Sequence, residues 1–210
     1  MNNKDSILYR ILCNFGNPKG KFGKFIIKVM NTGHKRLHKW GITLMDIKEH
    51  CCILDIGCGG ASCIKMLSER YKTCKIYGID HSEESINAGS ILNKKHLNKQ
   101  VYLLKADIMK TPFEDNFFDI IMSYESIYFW QDLNKAFQEI DRIAKNGCKI
   151  YIFMEVVKKT DTFWSGIIPN MKEYSYEEIM QVMEDNGFIN ISYLHKPFGR
   201  NAVICEKVSL

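Results

Sequence analysis

Residues 51–63 read CCILDIGCGGASC, which sets Cys51, Cys52, Cys58 and Cys63 around a glycine-rich turn that also carries Asp55. Two chemistries compete for such a stretch: thiols that hold a metal or exchange electrons, and a glycine loop that lets backbone approach a ligand. The thiol spacing argues against the first. Cys51, Cys52, Cys58, Cys63 and Cys74 form no C-x-x-C pair, and no second half-site follows. Cys13, Cys148 and Cys205 stand alone among apolar neighbours, so these cysteines are expected to be small buried hydrophobes. The glycines carry more information. Gly57-Cys58-Gly59-Gly60-Ala61-Ser62 permits a sharp turn but lacks the third glycine of a dinucleotide loop. Asp55, two residues before Gly57, would repel a pyrophosphate over that loop and favours a cationic or zwitterionic ligand. A carboxylate that only bonds turn amides is the plainer alternative for Asp55.

Two more acids follow. Asp80 ends the next apolar run, where a carboxylate accepts hydrogen bonds from both hydroxyls of a ribose. Asp107 ends the run after that, within reach of an adenine amino group. Each alone fits an N-cap or a turn, but three acids at the carboxyl ends of three successive strands point to a nucleoside. S-adenosylmethionine meets these demands, with a sulfonium, an ammonium and no phosphate. No catalytic triad is evident. His34 and His38 stand four apart without the glutamate of H-E-x-x-H, which suits solvated histidines better than ligands, and no metal site is expected.

These residues need elements to position them. Residues 51–54, 74–80, 101–107, 118–123 and 148–154 are short apolar runs that suit buried parallel strands. Between them lie helical patterns. ASCIKMLSERYK carries Ile64, Leu67 and Tyr71 at helical spacing, and SEESINAGSILNKKHL opens with Ser82 as N-cap and Glu83 and Glu84 in its first turn. QDLNKAFQEIDRIAKNG aligns Leu133, Ala136, Phe137, Ile140 and Ile143 on one face and is expected to close at Asn146-Gly147. Ser175 and Glu178 form a capping box for a helix ending at Gly187. Residues 188–195 and 202–208, linked through Pro197 and Gly199, predict an antiparallel hairpin. The alternation predicts an α/β fold, a doubly wound, mostly parallel seven-stranded Rossmann-like sheet with an antiparallel C-terminal hairpin. One domain is expected over 1–210, with 1–50 as a helical cap and 51–210 as the cofactor-binding core. The cap and the insert at 156–174 are placed to cover the carboxyl ends of the strands, where ligands bind in such sheets.

A chain of 210 residues with 46% hydrophobic and 25% charged residues has an ordinary globular composition. No apolar run approaches the ~20 residues that span a bilayer, and MNNKDSILYR has no signal-peptide pattern, so a cytoplasmic protein is expected. From Ser6 to Met45 there is no acid, while Arg10, Lys19, Lys21, Lys24, Lys28, Lys35, Arg36 and Lys39 are present. A solvated lid helix explains this most simply. An anionic substrate, an RNA or a membrane surface carrying a lipid-soluble acceptor are the alternatives, and the net charge of +5 does not choose among them.

The segments ILDIGCGGA, YGIDHS and ADIMKTPFEDNFFDIIMS resemble the successive motifs of class I S-adenosylmethionine-dependent methyltransferases, most nearly the small-molecule group that includes ubiquinone and menaquinone biosynthesis enzymes. The likeness runs from about residue 50 to 155. It implies that Gly57, Cys58 and Gly59 line the methionine part of the cofactor and that Asp55 orients the loop and the ammonium. It also implies that Asp80 holds the ribose, His81 packs by the adenine, and Asp107 and the Ile108 amide contact the adenine edge. Ser123 would face the methionine tail. Two departures stand out: Tyr128-Phe129-Trp130 replaces a histidine-containing stretch, and Asn146-Gly147-Cys148 replaces a Pro-Gly-Gly turn.

On the acceptor side, Tyr124, Glu125 and Tyr128 after the fourth strand and Glu155 after the fifth are candidates, joined by His34 and Trp40 from the cap and Phe163 and Trp164 from the insert. Ser123-Tyr124-Glu125-Ser126 is not the [DN]-P-P-Y of amino-methylating enzymes, which makes nucleic acid a less favoured acceptor than a small molecule. The competing readings are an RNA methyltransferase or RNA-binding protein using the basic N-terminal face, and a non-catalytic sensor that binds the cofactor. A dehydrogenase is opposed by Asp55 and the missing glycine. Oligomeric state is not legible in the sequence.

Overall fold

In the computed structural model the described residues are 16, 18–157, 165, 166 and 168–208, with only the backbone for Lys21, Phe22, Lys24 and Lys28. Two helices lead: α1 (Gly20–Gly33) and α2 (Lys35–Leu44), which meet at His34. The core then alternates: β1 (Cys52–Ile56), α3 (Ser62–Arg70), β2 (Lys75–Asp80), α4 (Glu83–Leu92), β3 (Val101–Lys105), β4 (Phe118–Tyr124), a 3-10 turn at Ile127–Phe129, α5 (Leu133–Ile143) and β5 (Ala144–Met154). It closes with α6 (Tyr176–Asp185), β6 (Ile189–Lys196) and β7 (Arg200–Glu206). Phe163 and Trp164 lie outside the described residues.

The seven strands form one sheet in the order β3-β2-β1-β4-β5-β7-β6. The first five are parallel, and β7 runs antiparallel between β5 and β6, as the hairpin pattern predicts. After β3 the chain crosses back to lay β4 on the other side of β1, so the strand order reverses at β1/β4. Ligands of open α/β sheets bind at such a switch point, outside the carboxyl ends of the strands. Both faces of the sheet are covered. Ile56, Ile121, Phe137, Ile140 and Ile152 belong to one buried cluster, and Ile53, Ile64, Leu67, Ile120 and Phe153 to the other. This explains why β1 and β4 are apolar without alternation. The predicted inward face of α5 is buried at all five positions, and the Ser175–Glu178 capping box is formed.

Several boundaries differ from the sequence expectation; β3 stops at Lys105, so Asp107 lies two residues beyond the strand rather than at its end. The helix expected to run to Gly147 ends at Ile143, and Ala144–Gly147 enter β5 instead. Ala144 pairs with Phe118, the register then jumps so that Ile120 faces Lys149, and Gly147 takes φ 76° at the irregularity. The Lys145 ammonium bonds Asp119 at 2.8 Å across this stretch, so strand pairing outweighs the helical pattern. α4 stops at Leu92 because the Asn93 side chain donates to the Gly89 carbonyl at 3.0 Å and to Ala61 at 3.1 Å, tying the helix end to the glycine loop. Among the described residues no helix is long and apolar enough to cross a membrane.

Candidate active site

The carboxyl ends of β1, β2 and β4 open into a cavity of about 1110 Å³. Its floor is the loop after β1. Gly57 has φ 70°, and the Gly57 and Cys58 amides both donate to the Ile79 carbonyl, at 2.8 and 3.0 Å, so the loop folds over the end of β2. Asp80 fixes the next residue. One of its carboxylate oxygens accepts from the Gly59 amide at 2.9 Å and the other from the Ser82 amide at 2.8 Å. Burial pushes the Asp80 carboxyl up, and the Ser82 amide bond opposes that shift.

Asp55 is also buried, and its Oδ1 has no hydrogen-bond partner. Burial, and after it the charge of Asp80, raise its pKa well above the ordinary range. An orphaned acceptor of this kind calls for a donor or a cation. The Cys58 thiol is likewise pushed well up by burial, then by Asp80 and Asp55, which disfavours the reactive thiolate. Farther along the rim, the Asp107 side chain is exposed and accepts from the Met109 amide at 2.9 Å, beside buried Ile108.

The roof comes from the N-terminal helices. Ile27, Met30 and Asn31 of α1, His34 at the junction and His38 of α2 line the cavity. α1 sits so close to the loop that a Cβ on Gly60 would lie 2.4 Å from Asn31 Nδ2. His38 is not solvated as the sequence suggested, and His34 is only partly so. His38 is 7% exposed, packs edge-on against Tyr124 at 4.7 Å, and is pushed down to about 3 by burial and by His34. Burial lowers His34 as well.

Glu125, at the end of β4, has φ 57°, a conformation uncommon outside glycine, asparagine and aspartate. Its amide donates to the Phe153 carbonyl at 3.0 Å. Its Oε1 accepts from the Glu155 amide and lies 3.1 Å from the Tyr128 hydroxyl. Burial raises its pKa to about 8, the charge of Glu155 adds to the rise, and those two bonds oppose it.

Comparison with known proteins now bears on this geometry. Residues 54–152 match the methyltransferase domain family. Over 157 residues the chain is 27% identical to an uncharacterized methyltransferase of Bacillus subtilis, covering 72% of this chain and 85% of that one. It is 32% identical over 118 residues to the demethylmenaquinone methyltransferase of Bacillus cereus, covering 56% of this chain and half (50%) of that enzyme. In fold it superposes on an S-adenosylmethionine-dependent methyltransferase from Aquifex aeolicus with a TM-score of 0.73 at 23% identity, covering 88% of this chain and 98% of that one. Together these likenesses support a class I S-adenosylmethionine-dependent methyltransferase.

The cavity wall includes Asp55, Gly57, Cys58, Gly59, Asp80, His81, Asp107 and Ile108, expected from the sequence to meet a cofactor, and His34, Tyr124 and Glu125, expected to meet an acceptor. Four expected residues are not on its wall, Glu155 among them. Ser123 is fully buried, with its hydroxyl 2.7 Å from that of Ser126. Trp40 packs edge-on against Phe153 at 6.0 Å within the core. Tyr128 is 2% exposed and hydrogen-bonded to Val156 from behind Glu125. The sequence reading missed Ser126, Phe129 and Trp130, which do line the cavity. The 3-10 turn after β4 swings them round. Ser126 Oγ donates to the Ile56 carbonyl at 2.9 Å, and Trp130 Nε1 lies 3.3 Å from Ser126 Oγ. The aromatic run Tyr128-Phe129-Trp130 was the available signal, but not which of its members face inward.

Proposed function

We propose that this methyltransferase transfers the methyl group of S-adenosylmethionine to a small, largely apolar acceptor, with the cofactor lying over the β1–β2 edge of the cavity. One observation carries the reading: Asp55, Asp80 and Asp107 open onto one cavity around the glycine loop, with Asp55 Oδ1 buried and unpartnered. That atom suits the cofactor's ammonium. The lone pairs of Asp80 not used by Gly59 and Ser82 suit the two ribose hydroxyls. Asp107 and Ile108 suit the adenine edge, with His81 beside it, while Gly57, Cys58 and Gly59 follow the methionine chain. Nothing fills the space within 4 Å of where a Gly59 Cβ would be, so backbone approach is open there.

The bound cofactor supplies an electrophilic methyl group on a good leaving group. The chain's task is to align the acceptor in line with it, and positioning of this kind supplies about 7–11 kcal/mol. His34, Tyr124 and Glu125, with Phe129 and Trp130, form the acceptor wall. Trp40, Ser123 and Tyr128 serve this wall from behind. We read residues 1–210 as one methyltransferase domain with 1–50 as its cap, acting in the cytoplasm. The similarity to a demethylmenaquinone methyltransferase supports a quinol-like or other apolar acceptor. A screen with methyl-labelled cofactor against quinols, phenols, sterols and RNA tests this. Label is expected in an apolar small molecule. Label in RNA alone, or tight cofactor binding with no acceptor across the screen, would support the RNA or sensor readings instead.

A further inference from the structure

We propose that His34, Glu125 and Glu155 form a divalent-metal site at the acceptor end of the cavity, where His34 and Glu125 line the wall and Glu155 stands just off it. One ligand atom from each lies within 4.8 Å of the other two. The topology brings them together. β4 and β5 are adjacent parallel strands with Tyr124 paired to Phe153, so Glu125 and Glu155, just past their ends, come side by side. His34 descends from the junction of α1 and α2. Metal–ligand bonds of about 2.0–2.2 Å put the ligand atoms at most about 4.4 Å apart, so small side-chain rotations close the set.

Two further observations favour a cation. Both carboxylates are half-buried, and among the described residues neither makes a salt bridge to lysine, arginine or histidine. Acids taken from water are ordinarily paired or bound to a metal. Glu125 is also held in place as ligating carboxylates are, with Oε1 accepting from the Glu155 amide and near the Tyr128 hydroxyl. That leaves Oε2 for coordination.

One imidazole and two carboxylates suit first-row ions such as Mn²⁺, Fe²⁺, Co²⁺ or Zn²⁺ better than a soft ion. Three protein ligands leave an open position, where an acceptor oxygen would be held and made more acidic. Binding would also tie the α1–α2 junction to the sheet.

The test is calorimetric titration of the chelator-treated full chain with Zn²⁺ and with Co²⁺, following the visible bands of Co²⁺. One ion per chain with micromolar affinity is expected. His34→Ala and Glu155→Gln should each weaken it at least about tenfold, as loss of even an outer-shell partner does. S-adenosylmethionine binding, measured on the same variants in chelator, should persist. That shows they are folded and keeps failure of this proposal distinct from failure of the methyltransferase reading. No binding tighter than about 1 mM, or affinity unchanged in both variants, would overturn the site.

Discussion

Asp55 illustrates how a buried, unpartnered acid burdens a fold. It is 2% exposed, its Oδ1 has no partner, and burial raises its pKa well above the ordinary value near 3.9. A carboxyl raised in the folded state binds more protons there than in the unfolded chain. Its contribution is therefore favourable at low pH and is lost as pH rises from about 4 through the raised value. Without cofactor, Asp55→Asn should flatten that pH dependence and raise the melting temperature at pH 7, while weakening cofactor binding. A lower melting temperature with the pH profile unchanged would mean that Asp55 is a structural cap. Asp80 plays a double part, since it bonds the Gly59 and Ser82 amides and has lone pairs to spare. Asp80→Ala should lower cofactor affinity by about 2–3 kcal/mol, roughly 30- to 150-fold. It should also lower the melting temperature, because two amides lose their acceptor. A lowered melting temperature with an unchanged dissociation constant would remove Asp80 from the site. Both acids were legible in the sequence because acids at strand ends follow the strand pattern. Their hydrogen bonds to loop amides were not, since those depend on how the loop folds over β2.

At the scale of the element, the loop between β1 and α3 separates folding from binding at two neighbouring glycines. A Cβ on Gly57 would fall 2.2 Å from the Ser126 Cβ, on a residue with φ 70°. Gly57→Ala should therefore destabilise the fold by well over the ~1–2 kcal/mol of the left-handed conformation alone. Gly59 has φ 51° but faces open space. Gly59→Ala should cost only about that conformational energy and should act mainly on cofactor affinity. Urea melts and cofactor titrations on the pair check this, and equal stability losses with equal affinities would contradict it. The strands and the faces of the helices were read correctly from period and capping residues. The end of α5 was not, because Ala144–Gly147 are drawn into β5 by pairing with β4 and by the Lys145–Asp119 bond, contacts between residues far apart in sequence. The same limit applied after β4. Ser123 and Ser126 are both serines near a strand end, and only the 3-10 turn decides that Ser126 faces the cavity.

At the scale of the molecule, the sheet order creates the crevice, the glycine loop floors it, and α1 and α2 roof it. Desolvation beneath that roof explains the shifts of Asp55, His38 and Glu125 together. The sheet was legible in the sequence as alternating elements. The roof was legible only as a basic segment of helical pattern, because its docking depends on α1 lying against Gly60. The most direct measurement is calorimetric titration of the chain with S-adenosylmethionine, its demethylated product and NAD under identical conditions. Binding of both sulfur nucleosides at one site per chain, lost in Asp80→Ala, with no heat from NAD, is the predicted result. Binding of NAD with none of either sulfur nucleoside would contradict it.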